Sequence, residues 1–319
     1  MWPWESKKPA LTAMLLAALL AGCTRSPDPT AGIIAVREPW TNGPVNGIKI
    51  STAHYRIFTS STNHALLSLL PALMEQAYSQ YVSLTGLSAV PADAQSMTMY
   101  LLADRRQWVE LTRQVAGPAA DTYLAVQSGG YCHRGVCVLW DLRYFGTYSV
   151  GVHEGMHQFL YHRLSETAPA WVEEALASVA EGFGINGNAV AFTPEQNAFR
   201  LTALRTELSH ERWIPLERLL ASDAGGMQPE ELADYYGQLW AMMLYLRSNP
   251  QHGQGFKRLL ADAAAGRMRA ELAIPPEMGH GRAFNRAAAV PLFQHYIQQD
   301  LEQFEAGYRQ YARKLARLE

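Results

Sequence analysis

Two histidines four residues apart, with a glutamate directly after the first, give the strongest chemical signal in the sequence: His153-Glu154-Gly155-Met156-His157. Divalent zinc accepts imidazole nitrogen and carboxylate oxygen, and a zinc site that does chemistry has three protein ligands and one open position. On a helix, residues four apart differ in direction by about 40°, so both imidazoles can face one ion. Glu154 points about 100° away from His153, beside the ion, where it can take a proton from a bound water. The third ligand must come from elsewhere. A histidine six residues after His157 is absent, because Arg163 stands there, and Leu160 occupies the place of a turn-forming glycine. His162 falls one position early. The next candidate segment is Pro169-Ala-Trp-Val-Glu-Glu-Ala-Leu-Ala177, a second helix whose proline suits a first turn. The short link 165–168 lets it fold back antiparallel to the first.

The elements that must hold these residues are readable from periodicity. Gly47 to Thr59 alternates as a strand, and Asn63 to Leu84 repeats Leu66, Leu67, Leu70, Leu73, Met74, Ala77, Tyr78 and Tyr81 at helical spacing. Ser96 to Ala103 is a second strand, 104–115 a helix, and Gly130 to Trp140 two short strands about a glycine-containing turn. After Tyr148 the pattern is helical, with segments near 150–163, 169–182, 195–209, 229–248, 252–265 and 291–317. Glycine, asparagine and proline mark loops at 182–194 and 275–282, the second holding His280 as a candidate cleft residue. The expected class is α+β, with a small mixed sheet in an N-terminal lobe (46–190) and a mainly helical C-terminal lobe (191–319).

The pairing of H-E-x-x-H with a downstream P-x-W-x-x-E-G-x-A resembles the gluzincin branch of bacterial zinc metallopeptidases, in the peptidase-MA-like families. Trp171 and Ala177 match that motif, and Ala175 replaces its glycine. The resemblance implies a zincin-like, thermolysin-like fold and one zinc ion held by His153, His157 and Glu174. It leaves Glu173 at a variable position expected to face water. Tyr236-Gly-Gln-Leu-Trp240 is similar to the family's Y-x-Q-x-W helix, which implies Tyr236 as the oxyanion donor, with Tyr235 as its rival. The likeness covers roughly residues 45–250.

The rest of the chain bounds where such a site would work. The protein has 319 residues, 48% of them hydrophobic, and 27 basic against 29 acidic side chains give a net charge of −2. With no long run of either sign, the chain is not expected to attract nucleic acid by counterion release. Lys7 and Lys8 precede a short apolar run that ends in Leu20-Ala21-Gly22-Cys23, which resembles a bacterial lipobox. Residues 1–22 are therefore expected to be a lipoprotein signal peptide, Cys23 a lipid anchor, and 23–45 a flexible tether. Thr24 after the cysteine points to the outer membrane, facing the periplasm. In an exported chain Cys132 and Cys137, which flank His133-Arg134-Gly135-Val136, are candidates for a local disulfide. The implied function is a membrane-tethered zinc peptidase acting on envelope proteins or peptides. The alternative is a non-catalytic zincin-fold lipoprotein that binds or assembles partners, which would have no chemical need for Glu154. Substrate, cleavage position and oligomeric state stay open.

Overall fold

A computed structural model describes residues 33–89, 96–127, 129–187, 189–275, 278–279 and 281–318. The signal segment, Cys23 and His280 lie outside the described residues.

The order is β1 (Val36–Asn42), β2 (Val45–Ser51), β3 (Tyr55–Thr59), α1 (His64–Thr85), β4 (Met97–Leu102), α2 (Arg105–Ala116), α3 (Ala120–Leu124), β5 (Gly130–His133) and β6 (Val136–Trp140). There follow α4 (Tyr144–Arg163), α5 (Ala170–Ala180), a hairpin of β7 (Phe183–Asn186) and β8 (Ala189–Phe192), then α6 (Ala198–Ser209) and α7 (Leu216–Ala221). The chain finishes with α8 (Leu232–Ser248), α9 (Pro250–Ala264), α10 (Arg282–Tyr296) and α11 (Leu301–Ala316). The six-stranded sheet runs β1-β2-β3-β4-β6-β5, parallel at β3–β4 and β4–β6 and antiparallel elsewhere. The expected α+β class with a mixed N-terminal sheet and a helical remainder is what the chain forms.

Side-chain alternation assigns the two sheet faces. On β6, Cys137 and Leu139 join the main core, whereas Val138 and Trp140 join a smaller cluster with Trp108 and Tyr131 on the other side. The main core is continuous from Ile50 to Ala316. Residues from both expected lobes, 46–190 and 191–319, contribute to this one cluster. Helices α4 and α5 of the first and α8 of the second pack in sequence.

Four segments differ from expectation. The tether expected over 23–45 contains β1, because the Trp40 ring packs 5.5 Å from Phe58 and 5.9 Å from Tyr100 and so fixes a strand on the sheet edge. The single strand 47–59 is a hairpin whose turn is pinned by α1: Glu75 accepts from the Thr52 hydroxyl (2.6 Å) and the His54 amide (2.7 Å). The loop 182–194 is the β7–β8 hairpin. The final helix 291–317 is two helices, with Asp300 capping the second by accepting from Gln303 N at 2.9 Å. Among the described residues no helix is long and apolar enough to cross a membrane.

One buried acid in the helical part makes stability depend on pH. Glu207 on α6 is fully buried and neither carboxyl oxygen has a hydrogen-bond partner. Burial, with Asp234 adding to it, pushes its pKa up from 4.5 to about 9, against the pull of Arg212 and Arg309. The folded protein thus holds a proton that the unfolded chain releases, and stability falls as pH rises from about 4.5 through 9. Urea midpoints measured from pH 5 to 8 should show wild type losing up to about 1.4 kcal/mol per pH unit relative to Glu207→Gln. Parallel curves would mean that the charge is accommodated.

Candidate metal centre

Helix α4 begins six residues earlier than its periodicity suggests, because Asp141 and Thr147 accept the Arg143 and Leu142 amides at 2.8 Å each and hold the entry. It ends at Leu164, in extended conformation, and the amides of Ser165 and Glu166 bond to Ala263 O on α9. Pro169 then sits at the N-cap of α5, which packs against α4. Gly155 makes a close approach possible on the other side: a Cβ there would come within 2.5 Å of the Tyr81 hydroxyl, which donates to Val152 O at 2.7 Å. Ala175, where the resemblance has glycine, is fully buried, and its single methyl still fits.

This packing brings His153, His157 and Glu174 together as a group able to hold a metal ion. The two Nε2 atoms are 3.2 Å apart, and Glu174 Oε2 lies 3.4 Å from His153 Nε2 and 3.6 Å from His157 Nε2. A triangle with these sides has a circumradius of about 2.0 Å, close to the roughly 2.0–2.2 Å of zinc–nitrogen and zinc–oxygen bonds. Glu174 Oε2 is buried without a hydrogen-bond partner, a costly state that a cation relieves. The donor set therefore fits one divalent ion, and its three residues line a cavity.

Charge in the surroundings also favours a cation. Burial opposes protonation of His153, but Glu174 and Glu181 outweigh it and raise the imidazole to about 9. At His157 burial is likewise overcome, by Glu174 and Glu173. Burial would raise Glu174, yet His157 and His153 hold it well below the usual carboxylate range. Glu154, about nine-tenths buried, is raised by burial against the pull of both histidines.

Two supporting residues escaped the sequence reading. His153 Nδ1 donates to Glu181 Oε1 at 2.6 Å, which would direct Nε2, once deprotonated, to a metal ion. Glu181 is itself clamped by Arg200, through Nε (2.9 Å) and Nη2 (2.5 Å), and by Asn197 Nδ2 at 3.2 Å. Burial would raise Glu181, but Arg200 and then His153 lower it to about 2, so it stays an anion. Glu181 follows Glu174 by seven residues, two helical turns on one stripe, and that spacing was the available signal. Arg200, on α6, had none. Glu173 does not simply face water: its Oε2 is 3.6 Å from His157 Nδ1.

Of the two tyrosines, Tyr235 is fully buried and donates to Ser222 O at 3.3 Å. Tyr236 faces the site, edge-on to His153 at 5.8 Å between ring centroids, with the Arg200 guanidinium 4.5 Å from its ring. Burial, reinforced by Glu174, raises its hydroxyl well above 10, so it is a proton donor at neutral pH. Tyr236 and Glu154 line the same cavity of about 720 Å³ as the three candidate ligands.

The β5–β6 hairpin forms another wall of this cavity. Cys132 and Cys137 lie opposite one another in register, but both are free, and the expected bridge is not made. The Cys137 thiol instead turns to α4, donating to Glu154 O at 3.2 Å with Gln158 Oε1 at 3.5 Å. Gln158 Nε2 donates to Thr98 O and Gly135 O at 2.8 and 2.7 Å, fastening hairpin and sheet to the histidine helix.

Because Glu181 fixes the His153 tautomer, Glu181→Gln should weaken metal affinity by about 10- to 100-fold, read by competition with a chromophoric chelator. Unchanged affinity would reduce the Glu181–Arg200 pair to a fold contact.

No curated protein matches the chain. Residues 148–264, the span from α4 through α9 that carries all three candidate ligands, Glu154, Glu181, Arg200 and Tyr236, match the family model described as Protein of unknown function (DUF1570).

Proposed function

We propose that this protein is a zinc-dependent hydrolase of peptide bonds, built on a zincin-like fold and tethered in a bacterial envelope through lipid on Cys23. The observation that carries the reading is the three-atom triangle of His153, His157 and Glu174 on the wall of a cavity shared with Glu154 and Tyr236. The tether and location rest on the lipobox-like sequence at Leu20–Cys23 alone.

When bound, zinc supplies a Lewis acid that polarises a carbonyl and lowers the pKa of water. Glu154 is next to the ligands without being one of them, and its environment raises its proton affinity. It takes the proton of the attacking water and delivers it to the leaving amine. Tyr236 keeps its hydroxyl proton and donates a hydrogen bond to the oxygen that gains charge. Glu181 and Arg200 hold His153 and the Tyr236 ring in one framework, so ligand and donor keep their relative positions.

Metal analysis of the purified protein should give about one zinc per chain, and digestion of a complex peptide mixture should yield products that vanish with 1,10-phenanthroline. A protein without metal, or cleavage indifferent to the chelator, would refute the reading. One zinc per chain without any zinc-dependent product would leave the binding-protein alternative.

A further inference from the structure

Apart from the two ligand histidines, Arg134 at the tip of the β5–β6 hairpin is the one basic side chain among the described lining residues of the cavity. Its backbone has φ 49°, and the following Gly135 has φ 75°. A two-residue hairpin turn with both φ values positive favours asparagine or aspartate then glycine, because a larger side chain is strained there. Arginine at the first position is thus a local cost without a turn-forming reason.

The tip that carries it is fixed. Gly135 O accepts from Gln158 Nε2 at 2.7 Å, and a Cβ on Gly135 would come within 2.6 Å of the Tyr161 ring and 2.8 Å of His162. The hairpin backbone is therefore pressed onto α4, and the exposed Arg134 side chain projects from this anchored tip at the edge of the cavity. Two acids of the cavity are engaged elsewhere, Glu174 between the two imidazoles and Glu173 beside His157. Arg134 makes no ion pair or hydrogen bond with a described residue. The neighbouring Tyr123 hydroxyl, also in the cavity lining, is bonded to His133 Nδ1 at 3.0 Å.

We propose that Arg134 reads a carboxylate on the ligand, so that this cavity takes peptides bearing an acidic side chain or a free C-terminal carboxylate at the hairpin end. The proposal rests on the zinc-peptidase reading and names its substrate class. An arginine fork matches a carboxylate with two parallel hydrogen bonds, which a neutral amide cannot return.

The test uses binding to the zinc-loaded full-length protein rather than turnover. Four hydroxamate-capped peptides serve as probes, with the sequences Leu-Ala-Glu and Leu-Ala-Gln, each ending in a free carboxylate or an amide. The hydroxamate anchors each probe on the metal, and only the far carboxylate varies. At least one of the two single-carboxylate probes should bind roughly threefold to tenfold more tightly than the uncharged one in wild type. That preference should vanish in Arg134→Asn and reverse in Arg134→Glu, with the uncharged probe unaffected. Arg134→Asn should melt at or above the wild-type temperature, since asparagine suits the turn. Preference for the glutamate amide identifies a side-chain carboxylate; preference for the glutamine acid identifies the chain end. Equal affinity of all four probes in wild type, or a preference that survives Arg134→Asn, overturns the proposal. Binding of none of them overturns the zinc-centred reading itself, and this one with it.

Discussion

Glu174→Ala should leave a folded protein that no longer retains its metal. Zinc in full protein sites is bound with about 10–16 kcal/mol, so one ligand of such a set is worth on the order of 3–4 kcal/mol, a hundredfold to thousandfold in affinity. Glu174 stands on a different helix from the histidines, and its oxygen closes the triangle at 3.4 and 3.6 Å. Removing it leaves two imidazoles on one helix face, which make a poor site alone. The same variant gives a control on stability. Free zinc at about one hundred times the dissociation constant adds roughly 2.7 kcal/mol to the folded state. A chelator should therefore lower the melting temperature of wild type and do nothing to Glu174→Ala. Equal metal content in the two proteins, by elemental analysis after dialysis, would remove Glu174 from the ligand set.

The second large effect separates chemistry from binding. Glu154→Gln keeps the shape of the side chain but removes the base, and the loss in kcat should be about 10²- to 10⁴-fold. Zinc content should stay at the wild-type level, since Glu154 is outside the ligand group. Because Glu154 is about nine-tenths buried and lines the cavity, its exchange for glutamine disturbs little else. The readout is zinc-dependent product from the peptide mixture, with the metal measured on the same sample. Undiminished cleavage with zinc in place would remove Glu154 as the base. Loss of both zinc and cleavage would instead make Glu154 part of the metal-holding set.

Much of the site was legible because its parts are local. His153 and His157 share a face through helix geometry alone, and the 165–168 link followed by Pro169 announced a second helix folded back on the first. The strands and helices with regular alternation, α1, β4 and α2, fall within about a residue of their periodic patterns. What escaped depended on contacts between distant segments. β1 is a strand because Trp40 finds Phe58 and Tyr100, and its own residues do not alternate. The hairpin cysteines satisfied every local rule for a bridge, yet Cys137 spends its thiol hydrogen on α4. Tyr236 led its rival Tyr235 on motif position alone, and the packing of α8 is what puts Tyr235 in the core and Tyr236 in the cavity.

The sequence by itself determined the donor types, their order and the face of α4 that carries them, because a four-residue spacing on a helix is a property of the backbone. Tertiary structure decided whether those donors meet. The packing of α5 on α4 sets the 3.2–3.6 Å triangle, and Arg200, from a third helix, orients His153 through Glu181. Periodicity fixes directions along one element, whereas distances between elements are set by which side chains fill the space between them.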